Sequence, residues 1–576
     1  MPIISKGGRR GWKTLTMITL MYAVLLVGSL SMLYPFALML GGSLCTGYDF
    51  DDFELIPTYL RNDEALLKKR LFDKYGNQNF QSLAFQYKRD SEWINWNDIR
   101  IEKDFLQRNY AEEMKLRDEA VADWFDFKKS LPANECGLYF ETDVKYYQNF
   151  LRALYNGDIA SLNRCWGRSF NQFGEVRPMF PMLFEQRYCA PERVDYQDYL
   201  AAMAAASPER LQVASLREMW SRYLHKKYIS PDRFKAMAVK NFSEVPVGLE
   251  PDWSEFLRVR YPLRLVTVNG VGLPAEAARR SQWMEDTLKT PLAQWELNDP
   301  DSRWQSFLET KYADIAQLNL VWGSEYTAFS SIEMPFKLED YHDFMSNKSQ
   351  YRRAYLLANY KSVLSFLTSK GRAISVTLVL ILLSVGCALT INPLAAYALS
   401  RGRQSVSMKL LIFFLATMPF PAEVGMIPGF LLIRDLGLLN TMGALLLPGL
   451  ANGYSIFLLK GFFDSIPREL YEAADIDGAS EVSKFLRITF PMSLPILAVI
   501  ALGAFTAAYG GFMWAFLTCQ DPNMWTIMVW IYDFQGKATN QGEVFAALTV
   551  AAIPTMLVFI FCQKIIMRGI VIPTMK

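Results

Sequence analysis

Residues 469–495 read ELYEAADIDGASEVSKFLRITFPMSLP. This polar, glycine-interrupted segment lies between two apolar stretches, Asn440–Leu459 and Leu494–Leu517. Each stretch reaches about 20 residues, the length that crosses a hydrocarbon core as a helix. Pro467 suits a first helical turn, and RELYEAADI (468–476) has good helix propensity. Gly478 then interrupts. A second helix fits 480–490, capped by Ser480, and Pro491 and Pro495 end it as the next apolar stretch begins. The expected product is two short helices joined at a glycine and anchored to a span at each end. Its apolar residues have no partner within so short a loop, so the segment reads as a docking surface for another protein.

Working outward, the chain has 576 residues, 51% of them hydrophobic, and a formal net charge of +2. No global field points to nucleic acid. Residues 14–44 and 372–567 are dominated by apolar side chains, whereas 45–360 are crowded with charged and aromatic ones. The apolar part divides into six candidate spans: Thr14–Leu40, Ala373–Leu399, Met408–Ile433, Asn440–Leu459, Leu494–Leu517 and Val544–Cys562. The first is too long for a cleaved signal peptide. Basic residues set the orientation. Lys6, Arg9, Arg10 and Lys13 precede span 1, and Arg401, Arg403 and Lys409 lie around the span 2–3 turn. Lys460, Arg468, Lys484 and Arg487 lie between spans 4 and 5, and Lys564, Arg568 and Lys576 follow span 6. Six crossings put all four groups on one side, the cytoplasm. Both termini are then cytoplasmic and 45–371 extracytoplasmic.

The polar block carries a repeat, W-x2-[F/Y]-L-x3-Y: WSRYLHKKY from Trp220, WSEFLRVRY from Trp253 and WQSFLETKY from Trp304. YQNFLRALY from Tyr147 and LKKRLFDKY from Leu67 are weaker copies. Offsets 0, 3, 4 and 8 share one helical face. Two copies extend further, as FLRALYNGDIASLNRCWGRSFNQF (150–173) and FLETKYADIAQLNLVWGSEYTAF (307–329), which points to two related helical subunits. The W-G steps at Trp166 and Trp322 suit helix ends with glycine as the stop. Ten of the fourteen tryptophans lie in this block. Sugar stacking is one reading of the stripe, and a helix core is the favoured one. The Y-x2-I-A-x-L-N-x2-W-G string resembles helical segments of some large β-galactosidases, a short likeness without catalytic residues.

Little else suggests chemistry. The two histidines, His225 and His342, have no metal-ligand spacing and no cysteine pair beside them. GWKT (11–14) has Trp12 in the middle of a phosphate-loop ending, with a span behind it. No carboxylate spacing singles out a glycosidase pair, so no metal and no catalytic residue is assigned. Of seven cysteines, Cys136, Cys165 and Cys189 lie in the polar block, where one bridge or three free thiols fit equally. Cys45, Cys387, Cys519 and Cys562 lie in or beside spans. Polar groups in spans are costly and draw attention as pathway candidates: Glu423, in the proline-rich stretch FPAEVGMIPG, then Asn452, Tyr454, Thr506 and Tyr509.

The pattern E-A-A-x2-D-G-A-x5-F-x2-I-x2-P-x3-P resembles the EAA motif of ABC importer permeases. It is carried by Glu472, Ala473, Ala474, Asp477, Gly478, Ala479, Phe485, Ile488, Pro491 and Pro495. LGLLNTMGALLLPGLANGYSIFLLKGFFDSIPREL (436–470), PFALMLGGSL (35–44) and NYKSVLSFL (359–367) are similar to the carbohydrate, MalG-like branch. The resemblance implies an all-α membrane protein with six transmembrane helices of the ABC importer permease type. A mainly helical extracytoplasmic domain is inserted into it. The segments are 1–44, with span 1, 45–355, the insertion, and 356–576, spans 2–6 with a coupling loop at 461–493. The resemblance further implies membrane lipid around the spans, a second permease subunit, a cytoplasmic ATPase dimer that carries ATP and magnesium, and an extracytoplasmic solute-binding protein. No cofactor is implied for this chain. Glu472 to Gly478 would meet the ATPase. The loop 519–543 matches in position the one that reaches the binding protein, with Met524, Trp525, position 529 and Tyr532 as candidate contacts. Position 529 is Val529, and the tryptophan sought for that contact is the next residue, Trp530. A membrane-anchored sugar receptor or enzyme, and an importer of other cargo, are the alternatives.

Overall fold

Apolar runs of span length and a charged, tryptophan-rich block need different solvents, and the chain separates accordingly. The structure is a computed structural model. It describes residues 12–50, 53–76, 80–99, 117–139, 143–178, 193–228, 230–274, 276–369, 372–402, 404–417, 421–538 and 540–568. Two compact units emerge, Thr58–Arg353 and the combination of Met1–Pro57 with Ala354–Lys576.

The chain enters with α1 (Trp12–Ser43). In Thr58–Arg353 there follow α2 (Asp63–Tyr75), α3 (Phe80–Gln86), α4 (Asp118–Ser130), β1 (Cys136–Leu138), α5 (Val144–Leu154) and α6 (Ile159–Trp166). Next come α7 (Val194–Ala205), β2 (Leu211–Val213), α8 (Leu216–Lys227), α9 (Asp252–Val259) and β3 (Val266–Val268). Then α10 (Ala277–Lys289), β4 (Trp295–Leu297), α11 (Pro300–Lys311), α12 (Ile315–Trp322) and the start of α13 (Phe336–Ser369) complete the unit. The unit is mainly helical, as expected, and among the described residues it also carries these four short strands. β1 pairs antiparallel with β2, and β3 with β4. Each strand follows a 3-10 turn opened by a proline, Pro132, Pro208, Pro262 or Pro291. Three-residue strands are too short to leave a period-two pattern in sequence.

The aromatic stripe is core. Trp220, Trp304 and Tyr147 are fully buried, as are Leu67 and Tyr75 in the copy on α2. The repeat also has a polar half. The tyrosine that ends a copy donates to an aspartate of another helix in three cases: Tyr155 to Asp198 (2.5 Å), Tyr228 to Asp252 (2.8 Å) and Tyr312 to Asp123 (2.5 Å). In the two extended copies the tryptophan joins in, Trp166 to Asp198 at 2.7 Å and Trp322 to Asp123 at 2.9 Å. Asp158 and Asp314 cap α6 and α12. Gly167 and Gly323 end those helices at φ +64° and +62°, a left-handed stop that glycine adopts without strain. Asn163 and Asn319 each bridge to the backbone seven residues on, at Phe170 and Tyr326. Cys136 and Cys165 are free thiols, and Cys189 lies outside the described residues.

The remaining unit contains α14 (Ala373–Arg401), α15 (Gln404–Thr417), α16 (Ala422–Asp435), α17 (Met442–Leu446), α18 (Gly453–Asp464), α19 (Arg468–Ile476) and α20 (Glu481–Lys484). After these come α21 (Leu494–Gly510), α22 (Phe512–Thr518), α23 (Ile527–Gln535) and α24 (Gln541–Arg568). Among the described residues, three helices are long and apolar enough to cross a membrane unbroken: Leu15–Ser43, Ala373–Arg401 and Gln541–Gln563. Two bent pairs, Met442–Gly449 with Gly453–Asp464 and Glu481–Met492 with Leu494–Gly510, raise the count to five. The expected six are therefore not six continuous helices. The fourth bends by 46° across Leu450–Asn452, and Gly511 ends the straight part of the fifth. The third is split into α15 and α16 around 418–420, which lie outside the described residues.

α14 organises this unit by packing on α18 and α21. Its 29 residues span about 43 Å. Near its first turn, Thr377 Oγ1 accepts the N–H of Ile527 at 2.8 Å. At the same end Asn359 donates to the carbonyls of Ser43 (2.9 Å) and Cys45 (2.7 Å), and Gly542 lies so close that a Cβ would meet the Cys45 oxygen at 1.9 Å. The other end of α14 reaches α18 and α20. The chain thus leaves and re-enters this unit at the end opposite the EAA segment.

Asp123 is almost fully buried and serves three donors, Lys311, Tyr312 and Trp322, whereas Asp198 is half-buried and serves two. Asp123→Ala leaves two buried donors, the Tyr312 hydroxyl and the Trp322 indole, without an acceptor and costs about 1–3 kcal/mol for each. Asp198→Ala costs about 1–3 kcal/mol. Thermal unfolding of the purified chain, followed by tryptophan fluorescence, should show the larger fall in Tm for Asp123→Ala. Equal shifts would contradict the assignment.

Candidate functional site

The EAA segment folds as two short helices with a left-handed joint. α19 ends at Asp477, Gly478 takes φ +72°, and the Ala479 N–H closes the turn on the Ala474 carbonyl at 2.9 Å. Ser480 caps α20 through the Ser483 N–H. The backbone then widens into a π-turn over Phe485–Thr489 and bends by 82° into α21. Sequence reasoning expects one regular helix over 480–490. Pro491 lies within the last helical turn, and Ser493 marks the break.

Two side chains root the segment. Tyr471 and Phe485 are buried. The Tyr471 hydroxyl lies 2.7 Å from Thr489 Oγ1, and the Phe485 ring meets Tyr397 of α14 edge-on at 5.3 Å. Arg401 stacks on the Tyr471 ring at 3.3 Å. The Tyr397 hydroxyl donates to Glu481 at 2.8 Å, and Ser400 donates to Asp464 at 2.6 Å. Lys484 completes the clamp by donating to Asp475 and, at 2.7 Å, to Glu481. These partners raise the Lys484 ammonium above its usual range, and the bonds from Lys484 and Tyr397 hold the Glu481 carboxyl below its own. A lowered acid contributes above its ordinary pKa, and a raised base below its ordinary pKa. The Glu481–Lys484 pair is therefore charged at neutral pH, and it weakens as pH falls through the lowered Glu481 value or rises through the raised Lys484 value.

The opposite surface is open. Glu472, Ala473 and Asp477 are exposed, Ala474, Ala479 and Ile488 are half-buried, and Pro491 is exposed. Ile476 is 88% exposed and Val482 67%, so two large apolar side chains flank Gly478 without cover. Behind the clamp lies a polar cavity of about 660 Å³ bordered by Arg401, Arg468, Glu472 and Lys484.

A second concavity, of about 530 Å³, opens among α14, α18 and α21 and includes Asn452, Tyr454, Ser384 and Trp514. Asn452 caps α18, and its own N–H is held by Asn392 at 2.9 Å. Sequence reasoning passes over Asn392, although a buried amide inside an apolar run is itself the signal. Thr506 faces outward and bonds its own helix at Leu502. Tyr509 does not face the concavity: it is buried and donates to the Ala551 carbonyl of α24 at 2.6 Å. Glu423 begins α16, and its side chain lies outside the described residues.

In the 519–543 loop, Met524 and Trp525 are half-buried, and Tyr532 is 54% exposed beside Phe512 and Phe516. Position 529 presents no tryptophan to a binding protein, on two grounds. It holds no tryptophan, since the residue is Val529. Both Val529 and the neighbouring Trp530 are only 2% exposed. They lie in α23, where the Trp530 ring stacks on Phe534 and packs on Phe366, so no aromatic face is left for a partner.

Residues 381–572 match the family described as the binding-protein-dependent transport system inner membrane component. The polygalacturonan/rhamnogalacturonan transport system permease protein YtcP of Bacillus subtilis is 35% identical over 239 residues, covering 38% of this chain and 77% of YtcP. The chain belongs to this family of permeases. The trehalose/maltose transport system permease protein MalG of Thermococcus litoralis is 36% identical over 193 residues, 32% of this chain and 69% of that protein. The sn-glycerol-3-phosphate transport system permease protein UgpE of Yersinia pestis is 31% identical over 186 residues, 32% and 66% respectively. The permease is thus a multi-pass inner-membrane transport subunit of an ABC importer, not an enzyme, and more than half of its length has no counterpart in these alignments.

Because Lys484 is buried by its two carboxylates while Arg487 is exposed, trypsin should cut the native permease after Arg487 far faster than after Lys484. Asp475→Ala with Glu481→Gln should raise cleavage after Lys484 several-fold. Equal rates at the two sites in the unaltered permease would contradict the clamp.

Proposed function

We propose that this permease forms half of the translocation path of an importer for a sugar or oligosaccharide. In this reading ATP and magnesium bind a cytoplasmic ATPase dimer, a second permease subunit completes the path, and an extracytoplasmic solute-binding protein delivers the cargo. The reading rests chiefly on one observation: an uncovered face around Gly478 on a loop whose opposite face is clamped to α14. A docked ATPase would press on Leu470, Ala473, Ile476 and Val482. Its movement would pass through Tyr471, Phe485 and the Glu481–Lys484 clamp to the end of α14, and from there to the concavity that Asn452 and Tyr454 line. Such transmission needs a stiff contact, and a buried aromatic pair with a charged clamp supplies one.

The sugar assignment draws on relatives named for polygalacturonan or rhamnogalacturonan and for trehalose or maltose. A relative named for sn-glycerol-3-phosphate keeps a non-sugar cargo as the second reading. Both termini are assigned to the cytoplasm and the unit Thr58–Arg353 to the outside. The supporting geometry is that its two joins lie at the far end of α14 from the clamp. Outside, the insertion would dock the binding protein or capture substrate. Met524, Trp525 and Tyr532 remain the proposed binding-protein contacts.

Gly478 is the sharpest handle. No atom lies within 4 Å of where its Cβ would be, so Gly478→Val introduces only left-handed strain, about 1–2 kcal/mol, and a side chain on the docking face. In the reconstituted complex, uptake should fall by about tenfold or more, in line with that strain, while membrane insertion and basal ATP hydrolysis persist. Undiminished uptake would count against the coupling role.

A further inference from the structure

We infer that the unit Thr58–Arg353 carries its own saccharide-binding cavity. The inference rests on the reading of the cargo as a sugar and gives the insertion a place in its capture. The cavity has a volume of about 490 Å³, within the range of small-molecule sites, roughly 300–1,000 Å³. Its walls come from α2, α4, the segments after β1 and α7, and the first half of α13.

The floor is a buried charge network. Lys74 donates to Glu339 at 3.1 Å and to Asp340 at 2.6 Å, and Lys128 and Trp124 donate to Glu339 at 2.7 and 2.6 Å. Burial alone would raise the Glu339 carboxyl, but the charges of Lys128 and Lys74 overcome it and hold the group at about 2. Burial acts the other way on its neighbours, raising the Asp340 carboxyl and lowering the Lys128 ammonium. Burying four ions costs more than filling the space with apolar side chains, so the network is a poor device for stability alone. It does fix α13 against α2 and α4 as a rigid base.

The walls offer balanced polarity. Arg70 is paired with Asp343 at 3.0 Å and Arg210 with Asp143. Each pair presents donors and acceptors side by side with little net field. A free ion would meet its own sign beside the opposite one, whereas a sugar hydroxyl, both donor and acceptor, suits such a pair. Aromatic rings help hold the wall cations in place: Arg70 lies over the Tyr351 ring at 4.6 Å, and Lys74 over Tyr139 at 4.5 Å. At the mouth, Ser346, Gln350 and Glu209 have no hydrogen-bond partner among the described residues, so their capacity is available to a ligand. Ser346 and Gln350 sit one helical turn apart on α13, at its surface, so replacing them does not threaten the fold.

The test uses the full-length detergent-purified permease on an array of immobilised hexose, pentose, N-acetylhexosamine and uronate oligosaccharides. A matched uptake assay uses the reconstituted complex. The expected result is retention on at least one saccharide class, weakened about tenfold or more in Ser346→Leu with Gln350→Leu. Absence of retention, or retention unchanged in the double variant, overturns the cavity assignment. Retention without saccharide uptake would instead overturn the cargo reading and leave the cavity standing. Uptake without retention would do the reverse.

Discussion

The ammonium of Lys484, held between Asp475 and Glu481, is the contact on which the rest of the coupling segment depends. Without it α19 and α20 are too short to persist, since isolated helices of their length are unstable in water. With it the two helices close on each other around Gly478, and Glu481 is presented to Tyr397. The Tyr397 bond and the Arg401–Tyr471 stack then bind the loop to α14. α14 in turn packs on α18 and α21, so under the proposed coupling a push on the loop would pass to the helices around the concavity. In that reading the polar loop between spans acts as a lever.

Much of this lever is legible in sequence because local geometry demands particular residues. A helix stop followed by a second cap requires glycine and serine, and Gly478 and Ser480 stand where the backbone uses them. The W-G steps are legible for the same reason, and Gly167 and Gly323 are both left-handed. The clamp is not legible. Tyr397 and Glu481 are 84 residues apart, and nothing local marks either as a partner of the other. Tyr509 and the Val529–Trp530 step mislead in the opposite sense. A polar or aromatic residue beside an apolar run is conspicuous, but the run does not say which way the side chain turns. Tyr509 and Trp530 both turn into the protein, toward Ala551 and Phe534. The four short strands also escape notice, because their signal lies in prolines that open 3-10 turns rather than in the strands themselves.

The insertion follows a different logic. Its core is the repeated aromatic stripe, which is why a helical-spacing pattern suffices to find it. What the pattern hides is the polar bond that accompanies three of the copies, tyrosine to aspartate, with the tryptophan added in the extended ones. Each such bond gives an otherwise oily helix pair one preferred register. The same economy applies at the charged cavity, where paired ions fix the walls and leave the mouth polar.

The central proposal is that the loop proposed for coupling and the inserted unit lie on opposite sides of one membrane. The most direct test is sided labelling of single cysteines, in an otherwise cysteine-free chain, at Ile476 in the loop and at Leu320 in the insertion, both more than four-fifths exposed. A membrane-impermeant maleimide added to intact spheroplasts should label Leu320→Cys at once, and Ile476→Cys only after permeabilisation. Labelling of both positions from the same side would contradict the account.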